Sequence, residues 1–95
     1  MFGREMALVF ESYVGEASRV REYLEKDFDG MGAEEAVERL ERAEHILTAY
    51  MEAAEGLEPC LFACLGEARA RAREARLVAE GYLAAGFPSI RRGHR

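Results

Sequence analysis

Residues 33–57 read AEEAVERLERAEHILTAYMEAAEGL, and within them Ala36, Leu40, Ala43, Leu47, Tyr50, Ala54 and Leu57 recur at alternating steps of four and three. That spacing holds a single apolar stripe on one side of an α-helix, which must then be hidden against another helix. The rhythm returns upstream at Met6, Phe10, Tyr13, Ala17, Val20 and Leu24, and downstream at Leu61, Leu65, Ala68, Ala72, Ala75, Ala79 and Tyr82. Helices are therefore predicted over 4–27, 33–55 and 59–85, each about 23–27 residues and ~35–40 Å long at 1.5 Å per residue. The breaks agree. Asp27-Phe28-Asp29-Gly30-Met31-Gly32 favours turns, Gly56 suits the position after a helix end, Pro59 suits a first helical turn, and Gly86 with Pro88 stops the last helix. The link of about three residues between the second and third helices forces an antiparallel hairpin, and the first link, of about five or six, allows the same. The expected fold is all-α: an up-down-up antiparallel three-helix bundle over 1–86, followed by a basic C-terminal tail over 87–95 for which disorder is expected.

The chain has 95 residues and a net charge of −5. It is one domain, able to bury roughly 60–65% of its unfolded surface and helped by oligomerisation. With no charged-then-apolar leader and no uncharged run near the ~18 apolar residues of a membrane span, it is expected to be soluble and cytoplasmic, with no membrane partner. Cys60 and Cys64 sit together instead of being spread over loops, and are read as reduced. The chain has no Asn or Gln and a single lysine, Lys26, a composition that suits a thermophile. The acidic balance argues against a dedicated nucleic-acid domain. The charge is nevertheless uneven: 15 acidic and 6 basic side chains lie in 1–59, against 3 and 7 in 60–95.

Asp27, Asp29 and Glu38 occupy positions 1, 3 and 12 of a calcium-loop template, and Gly32 position 6. Met31 at position 5 offers no hard oxygen and the second helix begins inside the loop, so a helix break followed by an acidic first turn is the expected reading. Cys60 and Cys64 share a helix face but lack the further ligands that zinc needs, and residues four apart in a helix are too distant for a disulfide. They are read as packing residues. His45, near Glu41 and Glu44, is read as solvated. No cofactor is expected. Arg69, Arg73 and Arg76 line one side of the third helix, and with Arg91 and Arg92 could contact an anion or nucleic acid; ion pairing with Glu34, Glu38, Glu41 and Glu44 of the second helix is the more economical use.

Apolar residues beyond the seams, among them Val9, Tyr23, Phe28, Ile46, Met51, Phe62, Leu77, Val78 and Leu83, widen the hydrophobic surface past what three helices need. Val9, Tyr23, Phe62, Leu77, Val78 and Leu83 are the candidate interface of a dimer or larger assembly, supplied by the first and third helices.

Residues 32–43 resemble the second helix of a tetratricopeptide repeat, with alanines seven apart, and 43–49 echo 79–85. Ala79-Glu80-Gly81-Tyr82-Leu83-Ala84-Ala85 resembles the end of a small archaeal family of uncharacterised three-helix proteins, whose last helix carries Ala-Glu-Gly-x-Leu-Asp-Ala; here Ala84 stands at the Asp position. That resemblance implies a fold and an archaeal source, and no activity. The function expected is a non-enzymatic helical interaction module or small assembly subunit that binds itself and an unknown protein. The alternatives are a nucleic-acid-associated protein using the arginine stripe and tail, or a calcium- or metal-binding helix-loop-helix.

Overall fold

A computed structural model of the chain describes residues 3–56 and 58–91, with side chains described at Leu8 and from Glu11 onward. Three helices carry the fold: α1 (Gly3–Lys26), α2 (Ala33–Ala54) and α3 (Pro59–Ala84). They form an all-α three-helix bundle with extents of 54 × 20 × 18 Å, and among the described residues there is no β-strand. Among the described residues, no helix is long and apolar enough to cross a membrane.

Each helix end has a local cause. α3 begins with Pro59, whose missing N–H is harmless in a first turn, and the Glu58 carboxylate accepts the Cys60 N–H at 3.1 Å. It closes through Gly86 at φ +87°, a conformation that glycine adopts without steric cost. The Gly86 N–H donates to Leu83 O, and the Phe87 N–H donates to Tyr82 O at 2.9 Å. The rings of Tyr82 and Phe87 meet edge-on at 5.9 Å, supplying the apolar contact that accompanies this type of helix end. α1 ends in the predicted Asp/Gly turn, where the Asp27 and Phe28 N–H groups both donate to Tyr23 O.

α2 and α3 form the most extensive helix pair, as their short hairpin link requires, while α1 packs chiefly along α3. The register of the hairpin is set by Glu44 beside Arg76, by Thr48 accepting from Arg69, and by Met51 against Gly66. This register places Leu40 near the level of Ala79, Leu47 near Ala72, Met51 near Ala68, and Ala54 near Leu65. Large residues on one helix meet alanine on the other, and all eight are buried. The alanine seam of α3 therefore serves close packing, with α2 filling the layer. α1 contributes Ala17, Val20 and Tyr23 to the same core, and Tyr13 stacks on Tyr50 of α2 with ring centroids 4.2 Å apart.

Three expectations give way here. Tyr23, assigned to the candidate interface, is only 4% exposed. Its hydroxyl donates to Met31 Sδ at 2.7 Å, and the Arg39 guanidinium lies 4.2 Å from its ring centroid. Phe28 and Met51, counted as surplus apolar surface, are also buried. The third concerns the tail. Ile90 is fully buried, the Gly30 N–H donates to Ile90 O at 2.6 Å, and the Ile90 N–H donates to Met31 O at 2.9 Å. Pro88 O accepts the Ala33 N–H at 2.9 Å, capping α2, whose N-cap Gly32 offers no side chain. The folded unit thus runs through Ile90, as a strap across the α1–α2 turn.

Burial pushes the Tyr23 phenol above its ordinary value, with Glu35 and Asp27 adding to the shift and Arg39 opposing it. An unfolded chain loses this proton first as pH rises. Stability associated with Tyr23 is therefore whole below the ordinary value of about pH 10 and is lost as pH climbs through the folded value. Chemical denaturation followed from about pH 8 to 11 should show this alkaline decline, and Tyr23→Phe should flatten it; an equally steep decline in the variant would contradict the assignment.

Candidate interaction surface

Four of the six residues expected at an interface stand in solvent: Phe62, Leu77, Val78 and Leu83, with Leu77 54% exposed. Tyr23 is in the core, and the side chain of Val9 lies outside the described residues. Phe87, 55% exposed, joins the set; it lies beyond Gly86, outside every helical stripe.

These residues do not make a single patch. At about 100° per residue, Leu77 projects opposite the α3 seam, Leu83 and Phe62 project on the α2 side, and Val78 on the α1 side. Val78 shares a groove between α1 and α3 with Leu24 and Ala75, and the rims of that groove carry Arg21 and Glu25 from α1 and Arg71 and Glu74 from α3. A second hollow, between α1 and α2, has an apolar floor that includes Val20, Leu40 and Ile46 and is rimmed by Glu16, Arg19, Arg39 and Arg42.

The arginine stripe of α3 is partly committed within the chain. Arg76 binds Glu44 through Nε and Glu80 through Nη1, the latter at 2.7 Å. The Glu44 and then the Glu80 hydrogen bonds raise its affinity for the proton, so it stays a cation. Arg69 donates to Thr48 Oγ1 at 3.2 Å, and Arg71 pairs with Glu67. Arg73 and Arg91 are exposed, and Arg92 lies outside the described residues. The economical reading of ion pairing with α2 holds at Glu44.

Asp27 and Asp29 are exposed in the turn, while Glu38 is exposed on α2, which begins at Ala33 inside the twelve-residue template. Phe28, between the two aspartates, is buried as an apolar plug. Among the described residues no group of three or more His, Cys, Asp or Glu side chains is arranged to hold a metal ion. Millimolar calcium should leave the melting temperature unchanged; a rise abolished by Asp27→Ala would restore the calcium reading. Cys60 is an exposed free thiol and Cys64 a half-buried one. His45 is exposed on the rim shared by Glu41, Glu44 and Arg76.

Comparison with protein-family models, curated proteins and solved structures finds no match.

Proposed function

We propose that this chain is a non-enzymatic helical interaction module that associates with itself and serves as a small assembly subunit. The reading is carried by the exposed apolar side chains of Phe62, Leu77, Val78, Leu83 and Phe87 on a bundle whose seams are already filled. A small domain gains stability by covering such surface with another chain. Light scattering at micromolar concentration should give at least about twice the chain mass of 10.7 kDa. Glutamate placed singly at Phe62, Leu77, Val78 and Leu83 should lower that mass wherever the residue lies in the interface, with helical circular dichroism retained. A monodisperse single chain would remove the basis of this function.

A further inference from the structure

We propose that the hollow between α1 and α2 binds a small organic dianion, a phosphate monoester carried on a single ring or a short apolar chain. The hollow exists because α1 lies chiefly along α3, which leaves its side toward α2 loosely filled. It is bounded at both ends. At one, Tyr13 stacks on Tyr50; at the other, the Arg39 guanidinium lies 4.2 Å from the Tyr23 ring centroid. The stretch of α1 from Tyr13 to Tyr23 measures ~15 Å. The hollow has a volume of about 170 Å³, comparable with the ~150 Å³ cavity that accommodates benzene. Its walls carry Arg19, Arg39 and Arg42 against one carboxylate, Glu16, which Arg19 engages at 2.6 Å. Glu35 and Glu38 stand four residues before Arg39 and Arg42, the order that favours helical ion pairs. Neither pair forms: among the described residues Arg39 and Arg42 make no ion pair, and both line the hollow with their N–H groups open to an acceptor. Three cations and one carboxylate leave a net charge of +2, which a phosphate monoester at neutral pH offsets and a carboxylate only halves. The planar guanidinium fork matches phosphate oxygens, and an anion seated between Arg39 and Arg42 relieves their mutual repulsion. Buried Leu40 and half-buried Ile46 give the ring an apolar floor.

The neighbouring hollows lack one half of this combination. The α1–α3 groove sets Arg21 and Arg71 beside Glu25 and Glu74, with no surplus of positive charge. The hollow beside Thr48 holds Arg69 and Arg73, but its apolar lining is Gly66 and Ala70, too small to floor a ring. At the strap Asp29 balances Arg91, and the rim shared by Glu41, Glu44, His45 and Arg76 is acidic. The site needs no second copy of the chain, so it stands or falls separately from self-association.

The test is titration of phenyl phosphate into the full chain at about pH 7.5, where the ester is a dianion, followed by calorimetry and by amide chemical shifts. Binding should saturate with a dissociation constant of about 1 mM or below. Inorganic phosphate, without the ring, and phenol, without the charge, should each bind at least about tenfold more weakly, with the monoanion benzoate between phenol and phenyl phosphate. Arg39→Gln and Arg42→Gln, both at exposed positions, should retain helical circular dichroism and each weaken phenyl phosphate about tenfold. Ile46→Ala should weaken phenyl phosphate and leave inorganic phosphate unchanged, and Arg73→Gln, outside the hollow, should change neither. No saturation up to about 10 mM overturns the proposal, as do equal affinities for phenyl phosphate and benzoate, indifference to both Arg39→Gln and Arg42→Gln, or an equal loss in Arg73→Gln. A phosphotyrosine peptide that binds more than about tenfold tighter than phenyl phosphate would give the hollow to a protein segment and overturn a small-molecule ligand.

Discussion

Ile90→Ala is expected to destabilise the protein by about 2–5 kcal/mol, although the residue lies beyond the last helix in a segment whose composition reads as a tail. Each kcal/mol corresponds to roughly 4–8 °C in a domain of this size, so the melting midpoint should fall by about 8–40 °C. The Ile90 side chain is fully buried. Losing its methyl groups leaves a cavity at the end of the bundle, where Phe28 and Met31 are also drawn into or against the core. The backbone on either side makes the position more than a plug, since it bonds to both Gly30 and Met31 and brings Pro88 O onto the first N–H of α2. A chain ending at Phe87 would lose the plug, the pins on the turn and the cap together, and should fall further than Ile90→Ala. Arg91→Ala, at an exposed neighbouring position, is the control and should change stability by less than about 0.5 kcal/mol. If thermal denaturation gave equal shifts for Ile90→Ala and Arg91→Ala, the strap would have no part in stability.

Why the helices were legible and the strap was not follows from the length scale of each signal. The stripes from Tyr13 to Leu24, from Ala36 to Ala54 and from Leu61 to Tyr82 repeat over several turns, and the breakers at Gly30–Gly32, Gly56, Pro59 and Gly86 fall between them. Local pattern and turn chemistry agree, and the observed helix ends lie within a residue or so of those predicted. Ile90 is a single apolar residue between Ser89 and a run of arginines. Its partners lie some sixty positions away, and no periodicity announces a contact made by one side chain and three backbone bonds. Tyr23 and Phe28 failed for a related reason. Both lie off the main α1 stripe, and what buries them is the turn and strap at the bundle end, which a two-dimensional reading of helix faces omits. The ion pair of Arg76 with Glu44 was readable because an antiparallel hairpin aligns those faces once its link is known to be short. Which exposed apolar residues share a surface was not readable, because Leu77 and Val78 are adjacent in sequence yet project about 100° apart on the helix.

Exchanging the sizes of Leu47 and Ala72 should expose how tightly the α2–α3 layer is packed. Both side chains are fully buried, and the register set by Glu44–Arg76 and Thr48–Arg69 puts them near one level. Leu47→Ala alone should cost about 2–5 kcal/mol, because the alanine opposite cannot expand into the cavity. Ala72→Leu alone should cost about 1–3 kcal/mol, because the α3 seam has no room for a larger side chain without moving a helix. The double variant keeps the layer's volume, so its loss should fall short of the sum by about 1 kcal/mol or more, well above the ~0.3–0.5 kcal/mol scatter of independent sites. Ala70→Leu, two residues away on the exposed side of α3, should be close to neutral, which separates packing from any general intolerance of leucine in this helix. Denaturant midpoints for the four variants decide the matter. Strict additivity of Leu47→Ala and Ala72→Leu, or a loss for Ala70→Leu equal to that for Ala72→Leu, would show that the two helices are not packed large against small at this level. A double variant that recovers would establish that the alanines of α3 specify the closeness of the hairpin, and with it the placement of Arg69, Arg71 and Glu74 on either side of that seam.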